Sequence, residues 1–330
     1  MAIQRASTSA KSADAVGPPD SGLLGHSLRL VMQLKLSAPV ADAIASGRAV
    51  VALESTIFSN LGLPSPANAD ALERCLEAIS SRGAVPAVTA VLDGVVRLGL
   101  EADEQERILG IARKAAERDI PVAVGQRWEF GATTVSASVA IAAAAGVTVF
   151  ATGGLGGVHR GVEVTGDVSA DLDALARHRV VAVSAGAKAF LDLPRTLEYL
   201  ETRGVPVLGW RHDWFPAFYT RSSGLLIPHR VESADEVARI AASLTRPNSG
   251  MLLTVPIPEA DELDGSHLDE VLAGALAECA AQGITGAAIT PFVLGRIGEA
   301  TEGRSIPANL SLAENNAKVA ADVAVAIAAS

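Results

Sequence analysis

From residue 48 onward, short runs of apolar and β-branched residues alternate with stretches of helical periodicity. The runs are AVVALEST, VPAVTAVL, IPVAVG, VTVFATGG, VVAVSAG, VPVLGW and MLLTVP, and segments such as NADALERCLEAISSRG and EQERILGIARKAAERD lie between them. A strand that is apolar on both faces needs cover on both, and strands that alternate with helices are joined by crossovers. The pattern therefore predicts an α/β fold, a three-layer α/β/α sandwich with a largely parallel central sheet. No fixed-period repeat and no proline- or charge-rich linker divides the body, so residues 35–330 are expected to form one domain. Residues 212–232 (HDWFPAFYTRSSGLLIPHRVE) read as an excursion or a lid. An alanine-rich last helix, from about Leu310 to Ala329, suits burial or a subunit contact.

Residues 1–34 are rich in Ser, Ala, Gly and Pro and are expected to form a disordered tail. Their Arg, Lys and Ser content resembles a transit peptide, against which Asp14 and Asp20 count; a start at Met32 is the alternative. The net charge of -10 argues against nucleic acid or an anionic membrane as the main partner, so any bound phosphate is met by a few local donors. No run reaches the length of a membrane-spanning helix. Cys75 and Cys279 sit in helix-like stretches without metal or redox spacing, as expected of buried thiols in a reducing cytoplasm.

Of 27 basic residues only five are lysine: Lys11, Lys35, Lys114, Lys188 and Lys318. Arginine is this chain's default cation, and guanidinium cannot act as an amine nucleophile. Lys188, in VVAVSAGAKAFLDLP just past the apolar strand residues Val180 to Val183, is therefore a candidate for Schiff-base chemistry. The alternative is a lysine that tops a strand and binds loop carbonyls. Glu54 ends another buried strand, where desolvation would raise its carboxyl toward a usable general acid; the alternative is a cap or an arginine partner. Three strand ends carry polar groups: Glu54-Ser55-Thr56, Thr152-Gly153-Gly154 and Ala185-Gly186-Ala187-Lys188. In an open parallel sheet such ends converge on one crevice.

The loop TGGLGGVHRG, Thr152 to Gly161, packs four glycines into five residues and lets the backbone approach an anion or metal, or simply turn tightly. It matches neither a dinucleotide fingerprint nor a Walker loop. His159 alone reads as a hydrogen-bonded structural histidine. Ser169 reads as a helix N-cap with Asp171 in the first turn, while Asp167 lies outside the cap and could hold a hard, exchangeable cation. GATTV, Gly131 to Val135, could form an anion site at a helix N-terminus. Lys114, in helix-like IARKAAERD, reads as a surface lysine, and Asn309 as a cap of the last helix.

Together VVALEST, GAVPA, GATTV, VFATGGLGGVHRG, DVSADL, AGAK, LDLPRTLEYLETRGVPVLG, PAF, TPF and ENNAKVA resemble the pseudouridine-5'-phosphate glycosidase family, also called indigoidine synthase A-like. They run in order from about Lys35 to the C-terminus. The resemblance implies an α/β/α sandwich, a cytoplasmic homotrimer, one Mn2+ per subunit, and reversible cleavage of pseudouridine 5'-phosphate into uracil and ribose 5-phosphate. It implies Lys188 as the imine-forming nucleophile and Glu54 as the proton donor. It further implies Asp167 as the manganese ligand, and Lys114, Val135, His159, Ser169, Ala170, Asp171 and Asn309 as substrate-binding residues. Three stretches depart from the family pattern: Lys114-Ala115-Ala116-Glu117-Arg118-Asp119, Arg127-Trp128-Glu129-Phe130 before GATTV, and Val164 where a histidine is usual. These departures could reshape the aglycone side, and some relatives use the same lysine to join ribose 5-phosphate to an aromatic natural product.

Overall fold

Among the described residues eleven strands form one sheet. They are β1 (Lys35–Leu36), β2 (Val50–Leu53), β3 (Val85–Leu92), β4 (Val95–Leu98), β5 (Arg113–Ala115), β6 (Phe130–Thr133), β7 (Val149–Ala151), β8 (Val181–Ser184), β9 (Val207–Trp210), β10 (His229–Val231) and β11 (Met251–Thr254). The order is β1-β4-β3-β2-β7-β8-β11-β9-β10, with β6 also on β3 and β5 on β6. The structure, a computed structural model, describes residues 34–284 and 289–330. The expectations for residues 1–33, Lys11 and Met32 among them, and for the side chains of Thr290 and Pro291 in TPF, lie outside the described residues.

From β3 through β2, β7, β8, β11 and β9 to β10 every pairing is parallel. Strands β2, β7, β8 and β11 are buried along their whole length, as doubly covered strands must be. One face is covered by the helix Ser305–Ala328, which lies on β2, β7 and β8 and packs against the helices Ala67–Ser80 and Ala234–Ala242. The other is covered by Val135–Ala145, almost wholly buried, packed beside Ala170–Arg177. The three-layer sandwich is as expected.

Among the described strands only the β3–β4 and β3–β6 pairs are antiparallel. The β3–β4 hairpin turns at Asp93-Gly94, whose φ values of 52° and 75° suit a two-residue turn with both centres left-handed. Beneath it, Arg97 Nε donates to Glu104 Oε1 at 2.7 Å, with both side chains about one-tenth exposed. Burial alone would raise the Glu104 carboxyl, but the Arg97 guanidinium, with the Glu101 N–H and Lys35, outweighs it and holds the group below the usual range. Replacing Glu104 by Leu strands a buried guanidinium and is expected to cost about 3 kcal/mol in urea unfolding at neutral pH. Because the folded-state pKa is depressed, this stabilisation is present above the ordinary carboxyl pKa and is lost as pH falls through the folded value.

Local pattern and tertiary context disagree in three places. IPVAVG is not a strand but the helix Ile120–Gly125, with Pro121 in its first turn and Ile120 and Ala123, three apart, facing the core. EQERILGIARKAAERD is not one helix: it breaks into the helix Ala102–Arg107, strand β5 and a 3₁₀ turn at Glu117–Asp119. Pairing of Arg113–Ala115 with β6 overrides the helical preference of Lys and Ala. The last helix starts at Ser305, so Asn309 lies inside it instead of capping it, and Pro307 is tolerated in the first turn. Residues 212–232 are an anchored excursion: Phe215 and Tyr219 are buried, and Ala217 bridges to Gly186. Cys75 and Cys279 are buried free thiols, Cys75 with its pKa pushed up by burial to about 12. No helix among the described residues is long and apolar enough to cross a membrane.

Candidate active site

Because β2, β7 and β8 are neighbours, Glu54, Thr152 and Lys188 emerge side by side beyond the carboxyl edge of the sheet. The β7–β8 pairing outlasts the strands. Thr152 N–H donates to the Val183 carbonyl (3.0 Å), Ala185 N–H to Gly153 (2.9 Å), Leu155 N–H to Gly186 (3.0 Å) and Lys188 N–H to Leu155 (3.1 Å). The glycine loop is thus the backbone frame that carries the lysine. Glycine is demanded here by protein contacts: in the loop a Cβ at Gly156 would stand 2.3 Å from Ser169 Oγ, and in the facing turn after β8 one at Gly186, where φ is 72°, would stand 2.0 Å from the Pro216 carbonyl oxygen.

Lys188 is half-buried, and its amine makes no hydrogen bond or ion pair among the described residues. The alternative of an ammonium satisfied by loop carbonyls is not met. Glu54 is half-buried too, and its Oε1 accepts a hydrogen bond from the Thr152 hydroxyl. Burial pushes its carboxyl above the usual range; Lys188, the Thr152 hydroxyl and Lys114 oppose the rise, and Asp171 adds to it. The residues after Glu54 act as bolts. Ser55 Oγ lies 3.1 Å from Thr133 Oγ1, and Thr56 Oγ1 donates to the Thr133 carbonyl at 2.7 Å, tying the end of β2 to β6.

Lys114 projects from β5 into the open side of the same cleft, so it is solvent-exposed and yet hemmed in by protein. Burial lowers its pKa, and Lys188 lowers it further, against Asp171, Glu54 and Asp167. This is not the isolated surface lysine that a helix would have presented. Arg113, next to it on the strand, points to the other face and stacks on Trp128, 5.3 Å from the ring centroid. Phe130 belongs to the core and Val164 is 88% exposed.

Asp171 is buried, and both its oxygens are taken: Oδ1 accepts from Ser136 N–H at 2.9 Å and Oδ2 from Gly156 N–H at 2.9 Å. The N-terminus of the Val135–Ala145 helix thus receives its anion from within the chain. Ser169 caps its helix as expected, accepting from Asp171 N–H at 3.2 Å. Ala170 is exposed at the first helical position, and Val135 opens its own helix, where amide N–H groups have no intrahelical acceptor. His159 is half-buried, tilted against Phe190 at 6.2 Å, with Nδ1 3.8 Å from Asp167 Oδ2. Burial pushes its pKa down, Asp167 opposes this, and Lys188 and Lys114 add to it. The Asp167 oxygens accept no hydrogen bond from the described residues. No group of three or more His, Cys, Asp or Glu that could hold a metal occurs among them. One free hard oxygen donor suits an exchangeable ion that completes its shell with water and ligand oxygens.

Asn309 is buried above the glycine loop, its Oδ1 without a partner among the described residues and 3.6 Å from where a Gly153 Cβ would stand. Pattern reading gave no role to Thr152 as a partner of Glu54, nor to Asn316. Asn316 Nδ2 donates to the Thr152 carbonyl at 2.8 Å and to that of Gly153 at 3.2 Å. Its signal was the amide itself, an uncompensated polar group in an alanine- and valine-rich helix. A separate cavity of about 540 Å3 flanks the Lys188 turn, lined by Ala189, Asp192, Arg160, Ser222 and Asp269 among others, and includes neither Glu54 nor Lys188.

A family model described as indigoidine synthase A like protein matches residues 39–326. Pseudouridine-5'-phosphate glycosidase of Dinoroseobacter shibae is 49% identical over 294 residues, covering 88% of this chain and 96% of that protein. The protein of that name from Caldanaerobacter subterraneus is 47% identical over 297 residues, covering 88% and 96%. Among solved structures, the prealnumycin C-glycosynthase AlnA in complex with ribulose 5-phosphate superposes with a TM-score of 0.83 at 37% identity, covering 90% of this chain and 97% of that one. An indigoidine synthase A-like protein of Thermotoga maritima gives 0.80 at 34% identity, covering 89% and 96%. The chain belongs to the indigoidine synthase A-like family, and its relatives in Dinoroseobacter shibae and Caldanaerobacter subterraneus, matched over most of its length, are named pseudouridine-5'-phosphate glycosidases.

Proposed function

We propose that this enzyme reversibly cleaves the C–C glycosidic bond of pseudouridine 5'-phosphate, yielding uracil and ribose 5-phosphate with uptake of one water. A single observation carries the reading: a protonatable carboxyl, Glu54, and an amine without a partner among the described residues, Lys188, stand past the ends of β2 and β8, on either side of β7, in a chain 49% identical to a glycosidase of that name. A C–C bond has no heteroatom leaving group to protonate, so acid catalysis of the ordinary glycosidase kind is insufficient. Glu54 instead gives its proton to the ribose ring oxygen as the bond from that oxygen to C1' breaks, leaving the base conjugated with C1'. Lys188 adds to C1' as the free amine, and the Glu54 carboxylate can take up the proton the amine sheds. The proton now on Glu54 passes to C5 of the base as the C1'–C5 bond breaks and its electron pair stays with C5, so uracil leaves while the Lys188 nitrogen lone pair forms a protonated imine with C1'; water hydrolyses that imine to the aldehyde, freeing the amine and returning the proton to Glu54. Lys114 holds the phosphate.

Residues 35–330 act in this proposal as one catalytic domain, and the homotrimer and cytoplasmic location rest on the family resemblance. So does manganese, with Asp167 as its protein ligand; when bound it supplies a counter-charge for substrate oxygens. Asp167→Asn is expected to raise the Mn2+ concentration needed for half-maximal activity by roughly tenfold or more. Isothermal titration of Mn2+ checks the same ligand without turnover.

The functional test incubates the protein with ribose 5-phosphate, uracil and Mn2+ and follows pseudouridine 5'-phosphate by mass. A second reading, C-glycosynthesis on an aromatic aglycone, is favoured by the 37% identity to AlnA. No pseudouridine 5'-phosphate, but a borohydride-reducible sugar adduct on Lys188, would decide for it.

A further inference from the structure

Asn316 sits in the middle of the Ser305–Ala328 helix with no exposed surface, among Leu312, Ala313, Ala317 and Ala320. An amide there is costly. Its Oδ1 is buried without a partner among the described residues, and an apolar residue of the same size would avoid that penalty. What the amide does is done entirely by Nδ2, which donates to two consecutive carbonyls, Thr152 and Gly153. Those two residues lead to different parts of the site. Thr152 gives its hydroxyl to Glu54. The Gly153 carbonyl also accepts Ala185 N–H, the first rung past β8 in the ladder that ends at Lys188 N–H on Leu155.

We propose that Asn316 is a positioning residue which, through the Thr152 and Gly153 carbonyls, sets the placement of the proton donor Glu54 relative to the nucleophile Lys188. The inference rests on the glycosidase reading. One nitrogen bridging both carbonyls fixes the peptide plane between them, and with it the direction of the Thr152 side chain. Small displacements of reacting groups cost rate more than they cost binding. A helix on the far layer of the sandwich is thereby tied to the reacting groups without touching substrate. Besides the Thr152 hydroxyl, the charged groups acting on the Glu54 carboxyl are Lys188, Asp171 and Lys114, none of them on the Asn316 helix.

The test uses the full chain with pseudouridine 5'-phosphate and compares Asn316→Leu, Thr152→Val and Thr152→Ser. The leucine variant is expected to lower kcat by on the order of tenfold or more, with KM within about twofold. Thr152→Val removes the hydrogen bond that favours the carboxylate, so the alkaline limb of kcat, where Glu54 loses its proton, moves to higher pH. Thr152→Ser brings the limb back, and Asn316→Leu moves it in the same direction as Thr152→Val. In the double variant the Asn316 and Thr152 effects are less than additive, as for residues acting on one group. An Asn316→Leu protein that melts at lower temperature but keeps the wild-type kcat and pH limb overturns the proposal and leaves Asn316 a structural amide. If that variant does not fold, Asn316→Ser, which reaches one carbonyl at most, takes its place under the same criteria. A wild-type protein inactive on pseudouridine 5'-phosphate is a different failure, that of the functional reading itself.

Discussion

Lys188→Ala is expected to lower turnover of pseudouridine 5'-phosphate by roughly 10⁴-fold, the scale of losing a covalent nucleophile. The amine makes no hydrogen bond or ion pair among the described residues, so its removal leaves no group unpaired. The backbone N–H that seats the residue on the Leu155 carbonyl is untouched. The melting temperature should therefore stay close to that of the wild type while activity vanishes. Lys188→Arg separates charge from nucleophilicity: it retains a cation near Glu54 and Lys114 but cannot form an imine. It should be as inactive as the alanine variant. Borohydride trapping with ribose 5-phosphate should mark the wild type at Lys188 by peptide mass and leave both variants unlabelled. Turnover in the arginine variant within tenfold of wild type would rule out the imine.

Glu54→Gln is expected to cost about 10³-fold in kcat, within the range for losing a general acid. The amide oxygen can still accept the Thr152 hydroxyl, so geometry is largely retained. In the wild type the donor must be protonated. Burial raises its pKa, so activity should persist to higher pH than an ordinary carboxyl would allow and fall as pH rises through the elevated value. That fall should be absent from the residual rate of Glu54→Gln. Stability carries the opposite sign. Between the ordinary carboxyl pKa and the raised one, the folded state binds more protons than the unfolded state, so wild-type stability declines with pH across that window. Glu54→Gln lacks the decline and should melt above the wild type at neutral pH, an acid group whose burial serves activity at the expense of stability. Equal melting temperatures at both ends of that window would show that burial does not strain the carboxylate.

Much of the architecture was legible because burial on both faces forces a run to be apolar throughout. VVAL, VAVS and MLLT announce themselves as central strands of a parallel sheet. The candidate chemistry was legible for the complementary reason. Glu54 and Lys188 are costly charges at the ends of such strands, and nothing local accounts for them. Peripheral elements were not legible. IPVAVG and RKA are short, and whether they become helix or strand depends on what lies beside them: a core facing Ile120 and Ala123 in one case, a free edge of β6 in the other. Lys114 was misplaced with its segment and proved to face the site only because β5 is a strand.

By itself the sequence determined the fold class, which rests on burial periodicity and is local, and the family, which rests on a series of motifs in order along the chain; it also singled out Glu54 and Lys188, by residue type at strand ends, as the candidate acid and amine. Only the tertiary structure decided that β2, β7 and β8 lie side by side, that Thr152 holds Glu54, that Asp171 is consumed by Ser136 and Gly156, and that Asn316 spans the Thr152 and Gly153 carbonyls. Those are contacts between residues as many as 164 positions apart. Hydrogen bonds of that kind depend on ångström-scale placement by the whole core, which no window of sequence contains.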